Sequence, residues 1–100
     1  MMSPFDKIPV SYQADIEKAV KILKNEGCQA VNLFGSLAEG SSTEISDIDL
    51  AVKGCPPEKF FHVLGKLIME LDHPVDLIDL DERNDFVLFL EKEGSLMHVQ

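Results

Sequence analysis

The chain has 100 residues, of which 45% are hydrophobic and 27% charged, a balance typical of a single globular domain. Nine basic residues against eighteen acidic ones give a formal net charge of −9, and this acidity disfavours DNA or RNA as a long bound substrate. No apolar run approaches the roughly 20 residues of a membrane span. The amino terminus does not resemble a secretory signal, so we expect a cytoplasmic domain.

The first third of the sequence predicts an arm, a helix and a buried strand. Residues 1–10 contain two prolines and are expected to form an N-terminal arm, with residues 11–100 as one domain. A helix is predicted over Ser11–Glu26, because apolar residues recur there at helical spacing, and Gly27 is suited to its C-cap. The nearly continuous apolar run Gln29–Phe34 predicts an interior strand.

Two short polar segments come next and contain the residues of greatest chemical interest. Gly35-Ser36 directly follows the first strand, where a turn offers backbone N–H groups and a hydroxyl to an anion. A second predicted strand, Asp47–Lys53, begins with two carboxylates, Asp47 and Asp49. Alternate residues of a strand share a face, so these two Cα atoms lie about 6.6 Å apart and their side chains can chelate a divalent metal. The two segments together suggest a triphosphate bound with magnesium.

The rest of the sequence predicts a helix, a strand, a short helix and an edge strand. A pair of prolines opens the helix, whose expected core stripe is Phe60, Phe61, Leu64, Leu67 or Ile68, and Leu71. Residues 74–81 form the third strand, and Asn84 caps a short helix over the apolar run 86–90. The tail 95–100 alternates weakly and can add an edge strand. This order favours an α/β (α+β) fold, with helices packed on a small mixed β-sheet.

Asp76 is the third candidate carboxylate. It shares a strand face with Ile78 and Leu80, so we expect it among apolar neighbours, where an unpaired charge is costly and a metal partner would remove the cost. The structural alternative is an aspartate near a strand end that reaches solvent or a helix terminus. Asp79 competes for the same role but points to the other face. His73, in the turn before the strand, is a further candidate and is more simply explained as a turn residue.

The order of these motifs resembles that of the nucleotidyltransferase superfamily, which includes DNA polymerase beta, and closely resembles its minimal nucleotidyltransferases. The matching residues are Gly35-Ser36, ten intervening residues, Asp47 and Asp49, and the later strand carboxylate Asp76. The resemblance covers most of the chain and implies a nucleotidyltransferase-like fold. It implies that the three aspartates hold two Mg²⁺ ions, that Asp76 accepts the proton of the incoming hydroxyl, and that Gly35 and Ser36 bind the β- and γ-phosphates. The implied reaction transfers a nucleoside monophosphate, AMP from ATP, to a hydroxyl of a protein or small molecule.

The same resemblance implies a protein partner. Minimal nucleotidyltransferases are often paired with a small helical HEPN protein in a toxin–antitoxin system, where the transferase resembles an antitoxin that adds AMP to its partner. An acidic surface would suit a basic partner. Many relatives have basic residues in the motif turn, where this chain has Leu37 and Glu39; Lys53 or Arg83 could compensate.

Two other functions stay open at this stage. One is a binding module that keeps the fold and neutralises a partner by contact, without catalysis. The other is an acidic domain that binds a divalent ion and no nucleotide. Cys28 and Cys55 are far apart in the sequence and match no metal pattern, so we interpret them as reduced thiols, with a disulfide as the alternative.

Overall fold

The computed structural model describes residues 8–39, 46–93 and 96–99. Most of the predicted arm lies outside these residues, so the arm stays a prediction. In chain order the elements are α1 Val10–Asn25, β1 Ala30–Phe34, α2 Gly35–Glu39, β2 Ile48–Lys53, a 3₁₀ turn Pro57–Lys59, α3 Phe60–Glu70, β3 Val75–Asp79, α4 Asp85–Glu93 and β4 Met97–His98.

The predicted start and stop signals act as expected at two helices. α1 ends before Gly27, whose φ of 100° lies in the left-handed region, and the N–H of Cys28 returns to the carbonyl of Leu23 at 3.0 Å. α4 begins after Asn84, whose side-chain oxygen accepts the N–H of Val87 at 2.9 Å. The apolar run at residues 86–90, which is ambiguous by periodicity, is therefore helical, as the cap predicted.

The four strands form one mixed sheet in the order β3-β2-β1-β4. β1 pairs antiparallel with both β2 and β4, whereas β2 and β3 are parallel and are connected through α3. The predicted edge strand in the tail is confirmed as β4. The mixed α/β architecture with four helices in the described residues is the predicted fold class.

The core lies on both faces of the sheet. The first face is covered by α1 and α3, and its fully buried side chains include Ile16, Leu23, Leu33, Leu50, Val52, Val63 and Leu67. The second face is covered by α4, with Phe34, Ala51, Leu80, Val87 and Leu90 buried between them. Cys28 and Cys55 are buried free thiols. Burial and the neighbouring Cys55 raise the pKa of Cys28 to about 12.

The predicted core stripe of α3 is partly wrong. Leu67 is buried, and Val63, which the stripe omitted, is buried beside it. Phe61 and Ile68 are 79% and 59% exposed. The physical reason is the width of the sheet: β3 is its edge, so no described element covers the outer side of α3.

No helix in the described part of the chain is long and apolar enough to cross a membrane.

Candidate active site

The strand register places two of the predicted carboxylates side by side. Phe34 of β1 is opposite Asp49 of β2, and Asp49 is opposite Asp76 of β3. The three residues form a row across the second face of the sheet, since directly paired residues project to the same side. Neighbouring strands lie about 4.8 Å apart, so the Asp49 and Asp76 carboxyl groups are within reach of each other. Asp47 comes just before the first residue of β2.

The close grouping of negative charge changes the acidity of Asp49. Burial raises the pKa of its carboxyl group to about 6, and the nearby charges of Asp76 and Asp47 and a hydrogen bond with Asp76 act in the same direction. No positive side chain of the described residues acts to lower this pKa. A cation at this position would reverse the effect.

Apolar side chains do lie near Asp76, among them Ile68 and Phe86, but the expectation that Asp76 is buried is wrong. Asp76 and Asp47 are both exposed, and Asp49 is the half-buried member of the three. Asp76 is exposed because β3 is the edge of the sheet and because α4 covers the second face further along, at Ala51 and Leu80. Because Asp76 is exposed, the cost of burying its charge no longer argues for a bound metal. Its position beside Asp49 does argue for one, since it places two carboxylates next to each other.

Gly35 lies directly against the Asp49 carboxylate. It begins α2 with a φ of 74°, in the left-handed region that favours glycine. A Cβ at this position would overlap the Asp49 side chain. Ser36 follows in the same turn and is half-buried. The Gly-Ser turn and the paired aspartates, twelve residues apart or more in the sequence, therefore lie together in the fold.

The structure does not support the suggested compensation for lost basic residues. Leu37 is 1% exposed and packs in the core, so its side chain does not face the site. Lys53 ends β2, four residues from Asp49, or about 13 Å along a strand. Arg83 pairs with Glu91 on α4 at 2.8 Å. Neither cation reaches the carboxylates.

Magnesium fits the site by the chemistry of its donors. In the described residues, no three His, Cys, Asp or Glu side chains are grouped closely enough to hold a metal as they stand. Asp49 and Asp76 nevertheless form an adjacent pair of hard oxygen donors, the kind that Mg²⁺ prefers. A divalent cation would relieve the repulsion that raises the pKa of Asp49.

Two weaker candidates, Asp79 and His73, make their contacts elsewhere in the fold. Asp79 points to the opposite face from Asp76, as predicted, and its side chain accepts the N–H of Asp81 at 2.9 Å. His73 contacts Asp15 of α1, with 2.7 Å between its Nδ1 and the Asp15 Oδ2. Neither residue is brought to the carboxylate pair.

Reasoning from the sequence did not identify the polar cluster around Asp15. This residue is 3% exposed and accepts the backbone N–H groups of Asp72 and His73 at 2.9 Å each. Tyr12 stacks on the His73 ring at 3.8 Å and donates its hydroxyl to the Ser46 carbonyl at 2.5 Å. The cluster thus ties α1 to the segments that enter β2 and β3. The available signal was spacing, because Asp15 falls within the apolar stripe of α1.

The acidity of Asp15 reflects these contacts. Burial is the largest single influence and opposes ionisation. The hydrogen bonds from the His73 ring and from the two backbone N–H groups together outweigh burial, so the pKa of Asp15 is lowered. Asp15 is therefore a structural anion rather than a proton donor.

Comparison with known proteins agrees with this geometry. Residues 17–98 match a family model described as polymerase beta, nucleotidyltransferase. No curated protein sequence matches the chain. A solved toxin–antitoxin complex with AMP-PNP contains a chain 30% identical to this one, with a TM-score of 0.66, covering 82% of this chain and 69% of the other.

Further solved structures describe the same kind of complex. A chain of the MntA–HepT toxin–antitoxin complex is 27% identical, with a TM-score of 0.61 and coverage of 86% of this chain and 69% of the other. The same values hold for a rebuilt structure of a tri-AMPylated HEPN toxin from Shewanella oneidensis in complex with its MNT antitoxin. The structural neighbours are thus MNT antitoxins bound to HEPN toxins.

Proposed function

This chain belongs to the polymerase beta nucleotidyltransferase family, and we propose that it transfers AMP from ATP to a hydroxyl group of a partner protein. The observation that supports this most directly is the row in which Asp49 lies beside Asp76 while Gly35 packs on the Asp49 carboxylate. In the reaction, a bond forms between the acceptor oxygen and the α-phosphorus. The bond from that phosphorus to the β-phosphate oxygen breaks, and pyrophosphate leaves.

In this proposal the three aspartates bind metal, and one of them also accepts a proton. Asp47, Asp49 and Asp76 would hold Mg²⁺, as two ions. When bound, magnesium supplies positive charge to the phosphate oxygens and makes the attacking hydroxyl more acidic. Asp76 accepts the proton of that hydroxyl. Its exposure at the sheet edge makes it the member of the three that an acceptor can reach from solvent.

The Gly-Ser turn would bind the β- and γ-phosphates. Without a side chain, Gly35 leaves its backbone open to close approach by an anion, and Ser36 adds a hydroxyl and an N–H in the same turn. Leu37, buried in the core, anchors the turn to the first face of the sheet. The turn is therefore held in place before nucleotide arrives, which lowers the cost of ordering it on binding.

The acceptor in this proposal is a small helical HEPN-type protein, and the chain acts as its antitoxin. Two observations support this: the neighbours are solved as toxin–antitoxin complexes, and in one of them the HEPN toxin is tri-AMPylated. The net charge of −9 favours a basic partner, because complementary charge accelerates association and suppresses wrong partners.

The test is transfer to a HEPN-type protein produced from the reading frame next to that of this chain, and a neighbouring frame that encodes no small helical protein would count against the proposal. Incubation with Mg²⁺ and ATP should add the mass of AMP to that protein and release pyrophosphate. Asp47→Asn and Asp49→Asn should abolish both signals. Asp72→Asn, an exposed aspartate outside the carboxylate pair, is the matched control and should retain them. A partner whose mass does not change with the unaltered chain would refute the proposal.

A second function is favoured by one observation: neither candidate cation reaches the phosphate site. Arg83 is paired with Glu91 on α4, and Lys53 lies at the far end of β2, four residues from Asp49. In that case the chain neutralises its partner by contact alone. Rescue of cell growth by Asp47→Asn and Asp49→Asn, to the same extent as by the unaltered chain, would select this function over transfer.

A further inference from the structure

Strand β3 has an open side. β2 is hydrogen-bonded to it through alternate residues: the N–H of Ile48 donates to Pro74, and the N–H of Leu80 donates to Val52, each at 2.8 Å. In a parallel pair the intervening peptide groups point the other way. They belong to Val75 and Leu77 and include the N–H of Asp79, whose carbonyl accepts the N–H of Glu82 at 3.2 Å. Among the described residues no strand pairs with this side, because β3 is the edge of the sheet.

The open side is flanked by apolar side chains on both faces of the sheet. A hollow of about 480 Å³ surrounds it, lined by Leu64 and Ile68 of α3, by Phe34 and Phe86 on the opposite face, and by Asp49 and Asp76. We call this the edge hollow. Ile68 is 59% and Phe86 48% exposed. An exposed strand edge with apolar walls is a surface on which another strand can pair.

The chemistry of the edge hollow selects its occupant. Free backbone donors and acceptors are satisfied by an extended polypeptide, whose successive side chains would meet the two walls in turn. Residues 70–82 include six Asp or Glu and no Lys or Arg, so the complementary segment is basic. A second copy of this chain fits poorly, because it would bring two molecules of net charge −9 together at their acidic edges.

We propose that β3 binds an extended basic segment of the acceptor protein as an added strand, and that this pairing delivers the acceptor hydroxyl to Asp76. The delivery of a hydroxyl to Asp76 rests on the proposed transferase function, whereas the strand pairing does not. A residue of the added strand opposite Asp76 lies on the same face, with its Cβ about 5 Å away. Its side chain therefore projects beside Asp49 and Asp76. A helical partner supplies such a segment from a terminus or a loop.

Peptide binding tests the pairing without nucleotide. The probe is a fluorescent seven-residue peptide, Val-Lys-Val-Tyr-Val-Lys-Val, whose valines share the face toward Ile68 and whose tyrosine and lysines share the face toward Phe86 and the aspartates. The readout is fluorescence polarisation with the full chain. Ile68→Ser and Phe86→Ser should each weaken binding roughly tenfold, the loss of one apolar contact. Met69→Ser and Phe89→Ser are the matched controls, because both residues are exposed on the same helices but do not line the edge hollow.

Backbone pairing has its own signature. Two peptides are compared, one N-methylated at the odd-numbered amides and one at the even-numbered amides. Only one of these sets of N–H groups faces β3, so one methylated peptide should lose binding and the other should keep it. Equal binding by both methylated peptides would overturn the proposal. So would equal losses in the control variants, or equal binding of a peptide with glutamate in place of lysine. A free chain that sediments as a dimer, and that Ile68→Ser makes monomeric, would assign the edge to a second copy and overturn it as well.

Transfer to the peptide separates this inference from the proposed function. With Mg²⁺ and ATP, the central tyrosine should gain AMP, and Ile68→Ser should reduce that gain in step with binding. Register-specific binding without any transfer would support the pairing and count against the transferase. Transfer to the partner protein that Ile68→Ser and Phe86→Ser leave unchanged would support the transferase and overturn strand pairing.

Discussion

Ionisation of the Asp49 carboxyl group lowers the free energy of unfolding. Its pKa of about 6 in the folded chain exceeds the value near 3.9 of an unfolded aspartate. The folded state therefore binds the proton more tightly. Stability from this group is fully present below about pH 4 and is lost as the pH rises through about 6. At neutral pH the ionised carboxylate opposes folding, as expected of a group kept for binding or chemistry.

Asp49→Asn should therefore stabilise the metal-free chain while abolishing transfer. At pH 8 we expect a gain of about 1 kcal/mol in the free energy of unfolding, after allowance for solvent around a half-buried group, and almost none at pH 4. Urea denaturation in EDTA at the two pH values measures it. Asp72→Asn should change neither value, and a variant less stable than the parent at pH 8 would contradict the charge grouping.

Gly35→Ala should damage the same site by a different route. The φ of 74° costs an alanine about 1 kcal/mol, and the new Cβ displaces the Asp49 carboxylate. A misplacement near 1 Å reduces catalysis roughly a hundredfold, so we expect transfer to fall by about that factor. The matched substitution is Gly65→Ala in α3, where no atom beyond the adjoining residues and the helix's own backbone lies within 4 Å of the new Cβ. It should keep full activity and gain up to about 1 kcal/mol in stability.

At the level of elements, the Asp15 cluster fixes the entries to the two strands that carry the aspartates. Asp15→Ala would leave the backbone N–H groups of Asp72 and His73 without their acceptor in a buried position. We expect a loss of about 2–3 kcal/mol in the free energy of unfolding by urea denaturation. Glu17→Ala, an exposed change on the same helix, should stay within about 0.5 kcal/mol. Equal effects of the two substitutions would show that the cluster contributes nothing.

The pH dependence of this cluster has the opposite sign to that of Asp49. The pKa of Asp15 is lowered in the folded chain, so its contribution is present above the unfolded value near 3.9 and is lost as the pH falls through the folded value. The unaltered chain should lose its advantage over Asp15→Ala only in acid. A difference between the two that shrinks above pH 6 instead would assign the stabilisation to another group.

Elements were predictable where local signals agree. Gly27 and Asn84 identify helix ends because their conformation and side-chain chemistry act within a few residues. The exposed side of α3 was not predictable, since periodicity marks an apolar stripe but not what lies opposite it. Phe61 and Ile68 look like core residues until the sheet is known to end at β3. Asp15 was missed because its partners are more than fifty residues away.

For the whole molecule, the motif order predicted that Asp49 and Asp76 lie together better than it predicted their surroundings. The adjacency of Asp49 and Asp76 depends on a parallel pairing through α3, and its register is set by long-range packing rather than by local sequence. Asp76 was expected to be buried and is exposed, and this difference makes it accessible to an acceptor. The fold class followed from the element order and from the resemblance, whereas the open edge of β3 needed the sheet order.

The three functions considered for the whole chain differ in which ligand stabilises the folded state and in whether a partner is modified. If a magnesium-bound triphosphate binds the folded state, AMP-PNP at a hundredfold excess over its Kd should add about 2.7 kcal/mol, or a rise in Tm of roughly 10 °C or more for a domain of this size. EDTA should remove the rise, and Asp47→Asn should prevent it, while Asp72→Asn keeps it. A rise produced in full by Mg²⁺ alone would identify an acidic ion-binding domain. A nucleotide-dependent rise in a chain that modifies no partner would identify a binding module, so this measurement and the transfer assay together separate all three.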